Sequence, residues 1–388
     1  MDELETDYQY ILYVADFTET AWTKRCIGHA GRVLLIADPQ GEPQPSATEQ
    51  SLSQRQVPPR TDLVLWHSPE TQRPTGTHRW LDARPVRSHY HVRPGDQRHL
   101  ARLARRLTGH AIGLVFSGGG ARGFAHLGVH QAMEELSIPI DYVGGSSMGA
   151  VMGASLFVAD TNAELRNMSS LFASPKVLFD YTLPFTSLMA SKKVTKFTQD
   201  LYGDLRIEDL WFPFFCVATN LSTAEPVVFE RGPLWRAVRA SLALPGIFTP
   251  VVEEGEILID GGVIDNFPVK LMAERCESKH IIGVNISKYE YAQGNYDLET
   301  DICGWRILLN RLNPFSKRLR VPSLIDTMRR ATAVNSVRHS KADERLTNVV
   351  IHPDVKRFDS LAYPAFAEII QAGYEAALAP LQAWQAKR

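Results

Sequence analysis

Three short motifs in this chain hold residue types that could do acyl chemistry. Gly145-Ser146-Ser147-Met148-Gly149 follows the apolar Tyr142-Val143-Gly144 and fits G-x-S-x-G, the nucleophile elbow. There a serine sits on a sharp strand-to-helix turn, and the flanking glycines let the backbone fold tightly beneath it. Ser117-Gly118-Gly119-Gly120-Ala121-Arg122-Gly123 lies upstream, directly after the apolar run Ile112-Gly113-Leu114-Val115-Phe116. It offers a run of unhindered backbone N–H groups at a helix N-terminus, suited to holding a developing oxyanion. Asp260-Gly261-Gly262 closes a third apolar run, Ile257-Leu258-Ile259. Together the motifs point to a serine acyl hydrolase.

An elbow serine needs a base. A Ser–His–Asp triad is the common solution, and in hydrolase order the histidine would follow Asp260, leaving His280, His339 and His352. His280 opens a strand rather than closing one, and no motif supports any of the three. His126 and His130 precede the serine, on the helix after the glycine loop, and read as packed or surface residues. Asp260 itself stands at the end of a buried strand, where catalytic groups collect in parallel sheets. The expectation is therefore a Ser147–Asp260 dyad. A carboxylate with an ordinary pKa near 4 is a weak base for a hydroxyl, so preorganised oxyanion donors would carry much of the load.

These motifs need a scaffold. Candidate strands at 112–116, 142–144, 214–218, 227–229, 257–259, 281–285 and 349–351 are apolar on both faces and alternate with helical stretches. Ala121, Ala125, Val129, Ala132 and Leu136 are spaced for one buried helix face. Such a pattern predicts an α/β fold with a mostly parallel central sheet covered on both sides. Upstream, Tyr10–Val14 and Arg32–Ile36 read as strands flanking a helix over Thr18–Ile27, and Asp62–Trp66 as a third strand. Residues 39–61, with Pro39, Pro43, Pro45, Pro58 and Pro59, read as an exposed linker. The expected division is an N-terminal α/β segment over 1–105 and a catalytic domain over 106–388.

Composition narrows the remaining classes. A hydrophobic fraction of 44% with 22% charged residues is ordinary for a soluble globular protein, and a formal net charge of -1 singles out no partner. Cys26, Cys216, Cys276 and Cys303 are scattered, which argues against a disulfide framework or zinc site and fits a reducing compartment. The start, Met1-Asp2-Glu3-Leu4-Glu5, lacks the order of a signal peptide. Tyr142–Ala159 carries no charge and has a G-x-x-x-G pattern, yet its crowded Gly and Ser fit strand, elbow and buried helix better than a membrane span. Arg84, Arg87, Arg93, Arg98, Arg102, Arg105 and Arg106 face one acid, Asp96. That stretch fits a solvated helix face with partners elsewhere, contact with anionic lipid, or, without any recognition motif, nucleic acid; no nucleic-acid partner is expected. Reading Ser117–Gly123 as a nucleotide loop fails on the missing P-loop lysine and the absent acidic ribose ligand.

With all three motifs in order, the chain resembles the patatin-like phospholipases, whose hallmarks are G-G-G-x-R/K-G, G-x-S-x-G and D-G-G/A. The resemblance implies a three-layer α/β/α sandwich, Ser147 as nucleophile and Asp260 as its base. It also implies an oxyanion hole of Gly118, Gly119 and Gly120 with Arg122 supporting the loop, and catalysis without calcium or other cofactor. Ala21–Cys26, Gly232–Ser241, Leu244–Phe248 and Trp305–Pro322 look most like the neuropathy target esterase branch of lysophospholipases. Similarity runs from about residue 8 to 375. Fuller members carry a membrane helix and cyclic-nucleotide-binding domains ahead of this region, for which these residues leave no room, so nucleotide regulation is not expected to carry over.

The motifs specify ester chemistry; local composition favours lipid. Leu171, Phe172, Leu178, Phe179, Phe185 and Leu188, followed by Lys192, Lys193 and Lys196, fit an acyl-binding wall or lid beside headgroup cations, or plain core followed by a solvated helix. Trp305, Leu308, Leu309, Leu312 and Phe315 with Arg306, Arg311, Lys317, Arg318 and Arg320 fit an interfacial segment or a surface helix. The expectation is a cytoplasmic lysophospholipase in peripheral contact with membrane. Acyl transfer to another acceptor and a non-catalytic lipid-binding module are the alternatives.

Overall fold

A computed structural model of the chain describes residues 6–54, 58–287, 303–313, 316–319, 321, 327, 334 and 339–387. Two compact units emerge: Met1–Leu107 with Glu208–Phe212, and Thr108–Ile207 with Pro213–Arg388.

The second unit is built on an eight-stranded sheet. Its strands are β4 (Ile112–Phe116), β5 (Tyr142–Ser146), β6 (Phe214–Asn220), β7 (Glu225–Phe229), β8 (Val251–Glu253), β9 (Glu256–Asp260), β10 (His280–Val284) and β11 (Val349–Ile351). Their order is β11-β10-β4-β5-β6-β9-β8, with β7 also on β6. The run from β11 to β6 is parallel, while β7 and β9 pair antiparallel with β6. Every residue of β4, β5 and β6 is buried, which explains their unbroken apolar runs. Side chains alternate between two covered faces. Val115, Tyr142, Phe215 and Val217 pack with Val269, Met272 and Cys276 of one helix. On the other side, Gly153 of the Met148–Ser155 helix lies against Val143, Phe214 and Phe116. This is the expected α/β/α sandwich.

The first unit is a smaller parallel sheet of β1 (Arg32–Ala37), β2 (Arg60–Trp66) and β3 (His89–Val92). It too is covered on both faces: Leu63 and Leu65 pack with Trp80 and Leu81, and Val64 with Tyr90, Val92 and the Leu100–Leu107 helix face.

Three expectations are corrected here. Tyr10–Val14 forms no strand; Leu12 and Val14 are exposed, and the carbonyls of Val14, Asp16 and Thr18 accept bonds from Trp22 and Thr23 side chains. Those bonds tie the segment to the N-terminus of the Ala21–His29 helix, which Thr20 caps, instead of to a sheet edge. Residues 39–61 are not all linker, because Ala47–Ser53 is a helix. Its start is a capping box in which Ser46 and Glu49 satisfy each other's backbone amides. Asp260 ends an antiparallel strand, not a parallel one.

Tyr142–Ala159 folds as β5, elbow and an eight-residue helix, and among the described residues no helix is long and apolar enough to cross a membrane. The arginine-rich stretch is largely partnered within its own unit: Arg84 with Glu49, Arg93 and Arg98 with Asp96, and Arg106 over the Tyr90 ring.

Candidate active site

The register of four strands assembles the site. Phe116 at the end of β4 pairs with Gly145, Ser146 pairs with Val217 on β6, and Ala218 pairs with Asp260 on β9. β9 overlaps only the carboxyl half of β6, through Ala218, Thr219 and Asn220. An antiparallel strand entering there stops at the level of the elbow. Asp260 therefore reaches the same edge as Ser147 by a different route from the one the sequence pattern implies.

Ser147 turns the chain with φ 53° and ψ -126°, a conformation that non-glycine residues seldom adopt. The elbow is braced to hold it. Its amide donates to Ser241 Oγ (2.9 Å), and that hydroxyl donates to the Val217 carbonyl (2.6 Å). At Gly149 any side chain would run into the Phe116 and Ser117 carbonyls. Ser147 Oγ donates to Asp260 Oδ2 at 2.6 Å. The other carboxylate oxygen, Oδ1, accepts the Gly262 amide at 2.7 Å. Asp260 is 3% exposed. Burial pushes its carboxyl up to about 6, against the opposing pull of the Ser147 and Gly262 hydrogen bonds. It is thus a stronger base than the ordinary aspartate expected from composition.

The histidines go elsewhere. His352 Nδ1 lies 3.2 Å from the Asn285 carbonyl, and His280 stands at the start of β10 among His110 and Trp384. The exposed His339 acts electrostatically on Asp265 and Asp343. His126 is buried, stacked on Phe116, and bonds the Ser117 carbonyl through Nε2 (2.8 Å). Desolvation lowers its pKa to about 3, so it stays neutral and helps anchor the base of the glycine loop.

The glycine loop lies against the nucleophile: a Cβ placed on Gly118 would stand 2.9 Å from Ser147 Cβ. Gly118 itself donates its amide to the Asn266 carbonyl (3.0 Å). Among the described residues no acceptor is found for the Gly119 and Gly120 amides. Gly120 has φ 60° and faces the Ser360 carbonyl, a conformation and a gap that suit only glycine. Arg122 Nε donates to the Phe358 carbonyl (2.9 Å), and the Ala121 amide to that of Ser360 (2.9 Å). Arg122 therefore straps the loop to residues 358–360.

Asn266 was not singled out in the sequence. Its Nδ2 donates to the Gly118 carbonyl (3.2 Å) and to Ser287 Oγ (2.8 Å), while its own carbonyl takes the Gly118 amide. It joins the Asp260 loop to the glycine loop. Its one sequence signal is its position six residues beyond Asp260, in Asp260-Gly261-Gly262-Val263-Ile264-Asp265-Asn266. Among the described residues no group of His, Cys, Asp and Glu is placed to hold a metal.

Residues 114–273 match the family described as patatin-like phospholipase, and residues 1–109 match the neuropathy target esterase family P-loop like domain. "Neuropathy target esterase sws" of Drosophila melanogaster is 33% identical over 94% of this chain and 28% of its own length. "Lysophospholipase NTE1" of Mycosarcoma maydis is 31% identical over 99% of this chain and 23% of its own. "Patatin-like phospholipase domain-containing protein 6" of Mus musculus is 31% identical over 98% and 30%. The chain spans less than a third of the length of each of these relatives.

Proposed function

Because the chain belongs to the patatin-like phospholipase family, we propose that it is a serine hydrolase of lipid carboxylic esters, with lysophospholipids as the leading substrate class. The observation that carries this reading is the 2.6 Å bond from Ser147 Oγ to the buried Asp260 carboxylate, beside the glycine loop. Ser147 Oγ attacks the acyl carbonyl as its proton passes to Asp260 Oδ2. The Gly119 and Gly120 amides stabilise the tetrahedral oxyanion; Gly118 holds the loop in shape through Asn266. Collapse breaks the ester C–O bond, and the leaving alkoxide takes the proton from Asp260. The same carboxylate then deprotonates a water, which cleaves the acyl-enzyme to fatty acid and free serine.

Substrate class rests on the relatives' names and on local surface chemistry. The Gly304–Leu312 helix exposes Trp305, Leu308, Leu309 and Leu312, while Lys317 and Arg318 are exposed beyond it. Phe315 and Arg320 lie outside the described residues. This side supports peripheral membrane contact, and the scattered free cysteines support a reducing, cytoplasmic location.

The test is turnover of lysophospholipid, diacyl phospholipid and monoacylglycerol by wild type and Ser147→Ala, followed by mass spectrometry. Fatty-acid release from lysophospholipid is expected, reduced at least about 10³-fold in the variant with an unchanged thermal transition. Equal turnover by both proteins would remove Ser147 from the mechanism.

A further inference from the structure

Residues 181–186, in the catalytic unit, form a protrusion with every residue exposed and none charged. Tyr181, Leu183 and Phe185 are 76%, 73% and 90% exposed. Three large apolar side chains exposed together in six residues, on a built frame, mark an interaction surface. The base of the protrusion is firmly built. Thr182 and Leu188 bond across it (3.1 Å), as do Ala190 and Asp180 (2.8 Å), and Ser187 and Met189 are buried. Its apolar tip is held outward on this frame.

The protrusion is tied to the catalytic residues through one short stretch of chain. The Leu188 and Met189 amides donate to the Gly246 and Ile247 carbonyls, both at 2.9 Å. The Ala243 carbonyl accepts the Asp260 amide (2.9 Å), and Ser241 Oγ accepts that of Ser147. The six steps from Ser241 to Ile247 span at most about 22 Å, so nucleophile, base and protrusion share the support over 241–247.

Charge around the tip favours one occupant. Lys193 is exposed at its base, where its Nζ donates to the Phe179 carbonyl (3.0 Å), and Lys192, next in sequence, is exposed too. The acid among them, Asp180, accepts the backbone amides of Ser191 and Lys193. An uncharged aromatic–aliphatic tip with a lysine rim complements an anionic lipid surface: the tip enters the acyl layer, and the rim meets the headgroups.

We propose that residues 181–186 are a membrane-docking lip that seats the catalytic unit on the bilayer, with Leu183 and Phe185 as its inserted anchors. This deepens the lipid-ester reading and rests on it for the substrate alone.

The test measures partitioning onto phosphatidylcholine vesicles with and without phosphatidylserine, using the full chain carrying Ser147→Ala so that lipid is not consumed. Binding strengthened by phosphatidylserine is expected. Adding Leu183→Ser and Phe185→Ser should lower partitioning at least about tenfold. In the active protein the same two changes should leave turnover of a short-chain water-soluble ester within about twofold, while turnover of vesicle-borne lysophospholipid falls with binding. Unchanged partitioning overturns the proposal. So does an equal loss of soluble-ester turnover, which would make the loop an acyl-site wall, or a dimer that the two changes dissociate, which would make it a face between copies. If partitioning falls as expected but active protein cleaves neither ester, the docking lip stands and the hydrolase reading falls.

Discussion

Asp260 must be charged to act, in a place that disfavours charge. Burial holds its carboxyl near 6, and each pKa unit is about 1.4 kcal/mol. Activity should therefore rise with pH along a single ionisation near 6 and level off above about 7. Initial rates on a soluble ester from pH 4.5 to 8 test this, and a flat profile between pH 5 and 7 would remove Asp260 as the base. Stability runs the other way. Folded protein binds more protons at this site than unfolded chain between about 4 and 6, so the carboxylate's cost appears as pH rises through that window. Asp260→Asn should be inactive yet more stable at pH 7 by up to about 3 kcal/mol, read from denaturant unfolding. Its amide oxygen can still accept the Gly262 N–H.

At the scale of elements, much of the site was legible because it is carried by contiguous runs. β4 with its glycine loop, and β5 with its elbow, are buried strands whose glycines are required by close backbone approach, so composition and position coincide. β9 was legible as a strand but not as an antiparallel one, since a five-residue apolar run carries no direction. Tyr10–Val14 misled because an apolar run reports what a strand would bury, not whether a sheet edge is available. The capping box at Ser46 and Glu49 could have been read and was masked by the surrounding prolines. Asn266 was not legible, because its role exists only once two loops meet. Asn266→Ala should lower kcat about 10²-fold with little change in KM, by releasing Gly118 and the two amides after it. Unfolding free energy should fall by about 1–2 kcal/mol. Asn266→Asp, nearly the same size but with no N–H to offer the Gly118 carbonyl, should be as impaired; if it restored kcat, packing rather than hydrogen bonding would explain the residue.

Across the whole molecule, acid acts most strongly on the first unit. The first unit encloses a histidine cluster that the sequence did not reveal, because His67 after β2, His89 and His91 on β3, and His99 on the following helix meet Glu208–Phe212 only in the fold. His67 Nε2 and His91 Nδ1 are 2.8 Å apart, and the Glu208 carbonyl accepts from both His91 Nε2 (2.9 Å) and His89 Nε2 (3.0 Å). One shared proton satisfies the His67–His91 contact, whereas full protonation would set N–H against N–H. Burial lowers His67 and His99 to about 4, and His91 well below its ordinary value. Folded protein thus binds fewer protons than unfolded chain as pH falls from about 6.5 to about 4, and stability declines across that window. At pH 5 the loss should be about 1 kcal/mol for each of His67 and His99, allowing for partial solvent screening. Asp260, whose carboxyl is raised, becomes less costly to bury over the same interval. In the second unit that gain offsets the opposite-signed cost of protonating the buried His126, so hydrogen exchange at pH 7 and pH 5, corrected for intrinsic rates, should show peptides over β2 and β3 losing more protection in acid than those over β5. Equal loss in both units, or none in the first, would show that the histidine cluster does not set the acid limit of its unit.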